Sequence, residues 1–366
     1  MPLRATLILD DGNEFEGFSF GAPRSVTGEV VFTTGMVGYP QSLTDPSYRG
    51  QILVSTYPLA GNYGVPPATR DAEGILEHFE SERVWISGLV VTEPCDAPSH
   101  RDSERSLSAW LADSGVPGIW GLDTRAITKI LRERGTMAGS ILVEGCDAPA
   151  EDWAARNPVA EVSCSKPQVY GRGGLPRVAL LDCGVKNNIL RCLLARGAEV
   201  TRLPWNADLD RADCDGVVLS NGPGDPKACA HPIAAIRRLL EGDRPLFGIC
   251  LGAQLLALAA GADTYKLRYG HRGHNQPCIE LGTRRCTVTS QNHGYAIRAD
   301  SLPPLWEPWF VNGNDGTIEG IRSSSGLFEA VQFHPEGCPG PRDNEGLFDR
   351  FIARASRAST QKRGAA

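Results

Sequence analysis

The sequence predicts an α/β protein, with a doubly wound, mostly parallel sheet in its second half and a smaller α+β domain before it. In the second half, short apolar segments such as 177–184 and 216–220 alternate with helix-like segments, which is typical of parallel strands buried on both faces. In the first half, residues 14–20 alternate strictly, which indicates a half-buried strand. Prolines and glycines interrupt the patterns between residues 146 and 176, so we place a domain boundary there.

This reasoning divides the chain into four parts. We predict an amino-terminal α+β domain over residues 1–146, a linker over 147–176, the α/β domain over 177–356 and a disordered tail over 357–366. Strands in the first domain are predicted at 6–9, 14–20, 28–34, 51–56 and 84–92, and helices follow Asp102 and Asp123 and end at Gly115 and Gly135. Helices in the second domain are predicted at 187–196 and 233–240.

Composition argues against several classes of function. The 366 residues carry a net charge of −6 without a dense cluster of lysine and arginine, so we expect neither nucleic acid nor an anionic membrane as a partner. The longest apolar run, 255–260, is far shorter than the roughly 18 residues that a membrane span needs. The amino terminus lacks the apolar core of a signal peptide. The 11 cysteines are scattered and odd in number, which predicts reduced thiols and a cytoplasmic location.

The sequence also lacks the usual cofactor motifs. It contains neither Gly-x-x-x-x-Gly-Lys-Ser/Thr nor an intact Gly-x-Gly-x-x-Gly, so we predict no nucleotide cofactor in this chain. His271, His274 and Cys278 form a metal-like cluster in the sequence, but their spacing matches no zinc site closely. We therefore predict no metal site.

Cys250 is the candidate nucleophile. It follows an apolar run, precedes a segment rich in leucine and alanine, and is flanked by Gly248 and Gly252, as in the strand–turn–helix nucleophile elbow. At the first turn of a helix, free N–H groups and the positive end of the helix dipole favour thiolate. The backbone N–H of Leu251 would then face the site as an oxyanion donor. From this segment alone, an inert buried cysteine at a strand end is the alternative.

Two further segments lie at predicted strand ends. The turn 220–226 is rich in glycine and proline, so its backbone N–H groups can approach a ligand closely. Near the carboxyl terminus, His334 and Glu336 lie two residues apart in an extended segment, so their side chains face the same side. That spacing suits a base and the carboxylate that orients it, which completes a triad with Cys250. His293 is the competing base, although no carboxylate lies at this spacing from it.

These segments resemble a known family. Residues 247–252, 219–226 and 332–336 are similar to the three signatures of class I glutamine amidotransferase domains. More specifically, the chain resembles the small subunit of carbamoyl-phosphate synthetase. That resemblance is carried by residues 33–39, 43–48, 121–125 and 184–191. The resemblance covers the whole chain except about its last ten residues, and it implies the fold predicted above.

The resemblance implies a glutaminase mechanism. Cys250 would attack the side-chain amide of L-glutamine to form a thioester, while His334 moves protons and Glu336 orients the histidine. The glutamine-binding positions that the resemblance carries over are Ser47, Gly222, Gly224, Leu251, Gln254, Asn292, Gly294 and Tyr295. Ala253 stands where the family usually carries histidine, and residues 269–277 also differ from the family in detail.

The resemblance also implies a partner. Ammonia would pass through a tunnel to a large subunit that uses ATP and Mg²⁺ to make carbamoyl phosphate from bicarbonate, for arginine and pyrimidine biosynthesis. The two chains would form a heterodimer, with scope for a higher assembly. Two alternatives remain open: an amidotransferase subunit of another synthase, and a non-catalytic scaffold that binds glutamine.

Overall fold

The structure is a computed structural model that describes residues 2–148 and 156–364, with side chains described as far as residue 360. Its contacts divide the chain into two compact units. The first comprises the residues up to Arg156 together with Arg268–Gly273, and the second comprises Asn157–Leu267 and the residues from His274 onward. No helix in the described ranges is long and apolar enough to cross a membrane.

The first unit is built on seven strands that close into a barrel. The strands of this unit are β1 (Arg4–Leu9), β2 (Glu14–Gly21), β3 (Val26–Thr33), β4 (Gln51–Ser55), β5 (Leu59–Ala60), β6 (Gly88–Val91), β7 (Glu93–Pro94), β8 (Pro117–Trp120) and β9 (Met137–Val143). Its helices are α1 (Tyr39–Leu43), α2 (Leu107–Asp113) and α3 (Thr124–Arg134). The barrel order is β1-β2-β8-β6-β4-β3-β9, and β5 pairs with β7 separately.

Alternation along the barrel strands produces two cores. In β3, Val30 packs in one cluster with Leu7 and with Ile127 of α3. The next residue, Val31, packs in another cluster that contains Leu111 of α2. Because successive side chains of a strand point to opposite faces, one strand supplies both clusters. The sequence analysis predicted strands and two helices here, but it did not predict that the strands close on themselves.

The second unit contains the remaining strands and helices of the described chain. Its strands are β10 (Gln168–Tyr170), β11 (Arg177–Asp182), β12 (Glu199–Pro204), β13 (Gly216–Leu219), β14 (Leu246–Ile249), β15 (Thr264–Glu280), β16 (Cys286–Ile297), β17 (Trp306–Asn312), β18 (Ile318–Ser323) and β19 (Phe328–Val331), with residues 268–273 of β15 grouped with the first unit. Its helices are α4 (Pro158–Val162), α5 (Asn187–Leu194), α6 (Ala230–Leu239), α7 (Leu251–Ala260) and α8 (Gly346–Gly364).

These ten strands form one sheet in the order β10-β12-β11-β13-β14-β19-β18-β16-β15-β17. The central strands β12, β11, β13, β14 and β19 pair in parallel, whereas β10 and β18 pair with this centre in antiparallel fashion. The predicted doubly wound parallel arrangement is confirmed for the centre of the sheet. The carboxyl ends of β13, β14 and β19 lie side by side, where ligands of such sheets bind.

Helices cover both faces of the central strands. On β14, Leu246 packs in a core cluster with Leu255 of α7 and Ile236 of α6. The next residue, Phe247, points the other way and contacts Phe348 and Phe351 of α8, at ring-centroid distances of 5.8 and 6.0 Å. Both faces of β14 are therefore buried, which explains its uninterrupted apolar sequence.

The chain has more regular structure outside the two predicted domains than expected. The predicted linker contains α4 and β10, a three-residue strand too short to show a periodicity, and its residues 149–155 lie outside the described residues. The predicted disordered tail instead continues α8 as far as Gly364, because its alanine, arginine, lysine and glutamine residues favour a helix. Residues 365 and 366 lie outside the described residues. Two smaller differences concern β6, which is shorter than predicted, and α2, which is capped by Ser106.

Candidate active site

Cys250 occupies a strained junction between a strand and a helix. It lies between the last residue of β14 and the first residue of α7, with φ of 54° and ψ of −106°. A non-glycine residue keeps such a backbone conformation only when its surroundings impose it. Its N–H donates to the Val331 carbonyl at 2.9 Å, and its carbonyl accepts from the N–H of Ala253 at 3.0 Å. The local backbone is thus that of the nucleophile elbow.

The glycines on either side of Cys250 are required by close backbone approaches. A Cβ atom at Gly252 would lie 2.2 Å from the carbonyl oxygen of Leu219, at the end of β13. A Cβ atom at Gly248 would lie 2.7 Å from the carbonyl oxygen of Gly252. No larger residue fits at either position unless the backbone moves, so the start of α7 is held tightly against the end of β13.

His334 and Glu336 follow β19 and form a buried pair. Nδ1 of His334 lies 2.6 Å from Oε1 of Glu336, and the side chains are only 2% and 0% exposed. The backbone N–H of His334 donates to the Ser290 carbonyl at 2.9 Å, which ties this segment to β16. The carboxylate is placed to hold the imidazole ring in one orientation and to keep the proton on Nδ1.

Lys186 adds a buried cation to this pair. Its Nζ donates to Oε1 of Glu336 at 3.0 Å and to the Gly337 carbonyl at 2.7 Å. Its backbone N–H donates to Oδ1 of Asn221 at 3.1 Å, so the turn after β13 fixes the lysine. Sequence reasoning assigned no role to Lys186, and the one available signal was its place in the motif after β11.

The charges of this cluster set the protonation states of the pair. Burial by itself would raise the pKa of Glu336, but the positive charges of Lys186 and His334 outweigh it and lower this pKa to about 2. Burial by itself would lower the pKa of His334, but the Glu336 carboxylate outweighs it and, against the opposing charge of Lys186, raises this pKa to about 10. At neutral pH, Glu336 is therefore ionised and His334 is protonated, so the imidazolium is a proton donor beside the sulfur and favours its thiolate form.

The second ring nitrogen of His334, Nε2, is available for proton transfer. Nε2 is buried, and within the described part of the chain it forms no hydrogen bond. The side chain of Cys250 lies close enough to contribute to the raised pKa of His334. Buried polar atoms are normally paired, so an unpaired nitrogen beside a cysteine indicates a site for proton transfer. Such contacts commonly tighten only when substrate is bound.

The turn 220–226 lies next to the first residue of α7. A Cβ atom at Gly222 would lie 2.8 Å from Cδ2 of Leu251, and Gly224 has φ of +89°. The side chain of Ser220 accepts a hydrogen bond from the N–H of Cys183 at 2.9 Å, which anchors the turn to the end of β11. The predicted oxyanion donor at Leu251 and the glycine-rich turn are therefore neighbours at the sheet edge.

The sulfur of Cys250 has two polar neighbours besides the histidine. Its thiol donates towards the carbonyl oxygen of Asn292 on β16, at 3.7 Å. The side-chain amide of Gln332 approaches the sulfur from the other direction, with Nε2 at 3.7 Å. Asn292 is among the predicted glutamine-binding residues, whereas Gln332 was not, although it begins the motif that contains His334.

The other predicted glutamine-binding residues are placed as follows. Nε2 of Gln254 on α7 donates to the Tyr295 carbonyl on β16 at 2.9 Å, and Gly294 precedes Tyr295 on the same strand. Ser47 lies in the first unit, in the buried 3-10 turn Pro46–Tyr48, where its N–H donates to Oδ1 of Asp45 at 2.9 Å. The contact of these residues with glutamine stays a prediction.

The competing base, His293, is engaged elsewhere. Its Nδ1 lies 2.9 Å from the Tyr295 carbonyl, and its Nε2 lies 3.2 Å from Oε1 of Gln291. It has a carboxylate neighbour from another strand, since Nε2 lies 3.8 Å from Oε1 of Glu319 on β18. That carboxylate comes from a distant part of the sequence, so spacing along the chain could not reveal it.

Comparison with known protein families covers both halves of the chain. Residues 179–354 match the family "Glutamine amidotransferase class-I". Residues 7–141 match the family "Carbamoyl-phosphate synthase small chain, CPSase domain". The cluster of Cys250, His334 and Glu336 lies within the first of these matches.

Individual relatives agree with the family matches. A carbamoyl phosphate synthase arginine-specific small chain from Aspergillus fumigatus is 51% identical over 359 residues, which is 95% of this chain and 79% of the relative. The multifunctional protein CAD of Squalus acanthias is 50% identical over 353 residues. The multifunctional protein pyr-3 of Neurospora crassa is 46% identical over 390 residues. This chain spans only 16% and 21% of those two multifunctional proteins.

The high identity to a small chain over most of its length agrees with the two family matches, which follow one another in the same order as the two units. The chain belongs to the carbamoyl phosphate synthase small chain family, and its second half is a class-I glutamine amidotransferase domain.

Proposed function

We propose that this chain hydrolyses L-glutamine at Cys250 and supplies the ammonia for carbamoyl phosphate synthesis. The observation that supports this most directly is the arrangement of Cys250 on its strained elbow beside the buried His334–Glu336 pair, whose ring nitrogen and carboxylate oxygen lie 2.6 Å apart. Nucleophile, proton carrier and orienting carboxylate are the three parts that acyl transfer by a cysteine enzyme needs.

In the first half of the reaction, Cys250 reacts as a thiolate that protonated His334 stabilises. The sulfur then attacks the side-chain carbonyl carbon of glutamine, and the carbonyl oxygen becomes an oxyanion. The N–H groups of Leu251 and of the adjacent turn would stabilise that charge. When the intermediate collapses, the C–N bond breaks, His334 gives its proton to the departing nitrogen, and ammonia leaves a glutamyl thioester on Cys250.

In the second half, water replaces ammonia. His334 accepts a proton from the water molecule as the water attacks the thioester carbon, and the C–S bond then breaks to release glutamate. The proton remains on His334, which again stabilises the thiolate of Cys250, so the site ends as it began. Glu336 stays ionised throughout and stabilises the imidazolium at each stage.

The glutamine itself would be held by the predicted binding residues. Asn292, Gly294 and Tyr295 lie on β16, and Gln254 lies on α7, while Gly222 and Gly224 belong to the turn after β13. Ser47 is a further predicted binding residue. Backbone donors and acceptors predominate in this set, which suits a substrate with an amide, an ammonium and a carboxylate group.

The ammonia would be used by a large subunit that forms a heterodimer with this chain and carries the ATP and Mg²⁺ sites. The family supports such a partner, since its members are small chains, and the multifunctional relatives contain much more sequence than this chain. The chain needs no cofactor of its own for glutamine hydrolysis, because its side chains supply the nucleophile and the proton carrier. We place it in arginine and pyrimidine biosynthesis and in the cytoplasm. The cytoplasmic location is supported by the free state of all 11 cysteines.

Glutamate release from glutamine tests this function. The purified chain would be assayed alone and with a candidate large subunit, with and without ATP and bicarbonate, and then treated with a glutamine-mimicking electrophile and examined by mass spectrometry. We expect release to increase with the partner and its substrates, and the label to be on Cys250. Absence of release under all conditions, with Cys250 unlabelled, would favour the non-catalytic scaffold.

A further inference from the structure

Gln332 is a buried polar residue at the nucleophile that has no assigned role. It is the first residue after β19 and is 0% exposed. Its backbone N–H donates to the Glu319 carbonyl at 2.9 Å, which fixes the start of its side chain. Its amide group contacts Gln254 on one side and the sulfur of Cys250 on the other, at 3.1 and 3.7 Å.

The contacts of Gln254 determine which way the amide of Gln332 points. Gln254 faces the carbonyl oxygen of Tyr295 at 2.9 Å, and a carbonyl can only accept, so Gln254 must present its NH₂ group there. The same NH₂ group lies 3.1 Å from the amide of Gln332, which must therefore present its oxygen. The NH₂ group of Gln332 is then left facing the sulfur of Cys250.

The NH₂ group of Gln332 responds to ionisation of the Cys250 thiol differently from the carbonyl of Asn292, which is the other polar neighbour of the sulfur. The carbonyl of Asn292 can interact favourably with the thiol proton but not with a thiolate. The N–H of Gln332 can donate to both forms, and its hydrogen bond strengthens when the acceptor is charged. It also weakens when the sulfur becomes an acylated, nearly neutral thioester, so it favours the state from which attack occurs.

We propose that Gln332 is a hydrogen-bond donor that stabilises the thiolate of Cys250, with Gln254 holding its amide in the donating orientation. The inference rests on the proposed function, because it assigns Gln332 to the nucleophile of that reaction. The titratable and charged groups around the sulfur are His334 with Glu336 and Lys186, and His293 of β16 with Glu319 of β18. None of them is altered in the variants below.

The pH dependence of alkylation tests the proposal without glutamine. Iodoacetamide modification of the peptide that contains Cys250 would be followed by mass spectrometry across a pH range, for the wild type, Gln332→Met and Gln332→Glu. Both changes conserve most of the volume. Gln332→Met removes the donor, and Gln332→Glu replaces it with an acceptor while keeping an oxygen for Gln254. Cys286, an exposed cysteine, is the internal control in every sample.

We expect the alkylation midpoint of Cys250 to rise by about one pH unit or more in Gln332→Met, and further in Gln332→Glu, with Cys286 unchanged. Gln332→Met is the decisive variant, because it adds no charge, whereas the carboxylate of Gln332→Glu also repels a thiolate directly. Superimposable profiles for the wild type and Gln332→Met would overturn the proposal.

Gln254→Met keeps the test decisive if the Gln332 variants do not fold. It removes the donor that orients Gln332, so the Gln332 amide can rotate and the midpoint should rise in the same direction by a smaller amount. An unchanged midpoint would then overturn the proposal. Alkylation requires no turnover, so it reports on Gln332 independently of glutamine hydrolysis. A shifted midpoint in a chain that releases no glutamate would contradict the proposed function and still support the role of Gln332.

Discussion

Lys186 and Glu336 form an ion pair with Nζ and Oε1 3.0 Å apart, in a place where their side chains are only 3% and 0% exposed. Removing two charges from water is costly, and a buried pair recovers that cost only with good geometry and further hydrogen bonds. Here the same carboxylate oxygen also contacts His334 at 2.6 Å. The lysine therefore acts on the triad through the carboxylate that orients the histidine.

Replacing Lys186 with methionine should destabilise the protein and slow glutamine hydrolysis. It leaves Glu336 with His334 as its remaining charged partner, so we expect a loss of about 3 kcal/mol in the free energy of unfolding. Urea denaturation measures this. Lys227→Met is the matched control, because Lys227 pairs with Asp263 at 2.6 Å while both side chains are about half exposed, and an exposed pair of this kind should contribute far less to stability. Equal losses in the two variants would contradict the buried role of Lys186.

Cys250→Ser should separate the two activities of the assembled complex. Because the hydroxyl is a far weaker nucleophile in this setting, glutamine-dependent carbamoyl phosphate synthesis should disappear, while synthesis from added ammonia should continue. Both rates would be measured on the same preparation with the large subunit. Loss of the ammonia-dependent rate as well would refute the division of labour between the two chains.

His334→Asn and Glu336→Gln should both lower the turnover of glutamine hydrolysis, and the histidine change should cost more. His334 moves the protons, which is worth roughly 10²–10⁴-fold in rate, whereas Glu336 acts through the histidine. Steady-state glutamate release gives the two values. A near-normal rate for His334→Asn would transfer the base role to His293.

Stability should depend on pH through the same pair. The pKa of His334 is raised to about 10 in the folded protein, from an ordinary value of 6.5. Its stabilisation is therefore complete below pH 6.5 and is lost as the pH rises towards 10. The pKa of Glu336 is lowered to about 2 from 4.5, so its contribution is present above pH 4.5 and is lost as the pH falls towards 2.

Denaturation of wild type and His334→Asn at pH 7 and pH 9 would measure the histidine contribution. The wild type should lose up to about 1.4 kcal/mol per pH unit relative to the variant over this interval, since one proton is released on unfolding. Parallel pH dependences in the two proteins would show that His334 is not protonated in the folded state.

Gly252→Ala should be destabilising even though alanine is the better helix former. The added Cβ would meet the Leu219 carbonyl oxygen at 2.2 Å, so overpacking should cost about 3 kcal/mol and lower activity. Gly242→Ala is the control, because its nearest contact would be an ordinary 3.5 Å. Thermal melting of the two variants compares them directly. Equal melting temperatures would mean that the start of α7 is less tightly held than the structure indicates.

The elements that sequence reasoning identified correctly are those with a strong local pattern. The apolar strands that end at Leu219, Ile249 and Val331 are buried on both faces, so their composition alone distinguishes them. Since the ends of parallel strands share one edge of the sheet, the motifs that follow them had to converge there. The contact between His334 and Glu336 was predicted from an extended segment, but the structure makes it in a turn, since β19 ends at Val331 and the N–H of Gly337 donates to the His334 carbonyl at 3.1 Å.

Features that depend on distant residues could not be predicted. The barrel of the first unit requires β1 to pair with β9, and nothing in either strand encodes that partner. Lys186 approaches Glu336 from 150 residues away in the sequence. Glu319 reaches His293 from another strand, and the amide of Gln332 is oriented by Gln254. A single sequence shows chemistry-bearing residues but not which of them meet across the sheet.

Strand β15 limits where the chain can be cut into separate units. Residues 268–273 belong to the first unit although they are encoded far beyond it. There the N–H groups of Thr34 and Thr136 donate to the carbonyls of Arg272 and Arg268, at 3.3 and 2.9 Å. A gene truncated after Arg156 would encode a first unit that lacks these acceptors. A recombination event at the same point would replace them with those of another parent, so the two units are best inherited, cloned and exchanged as one piece.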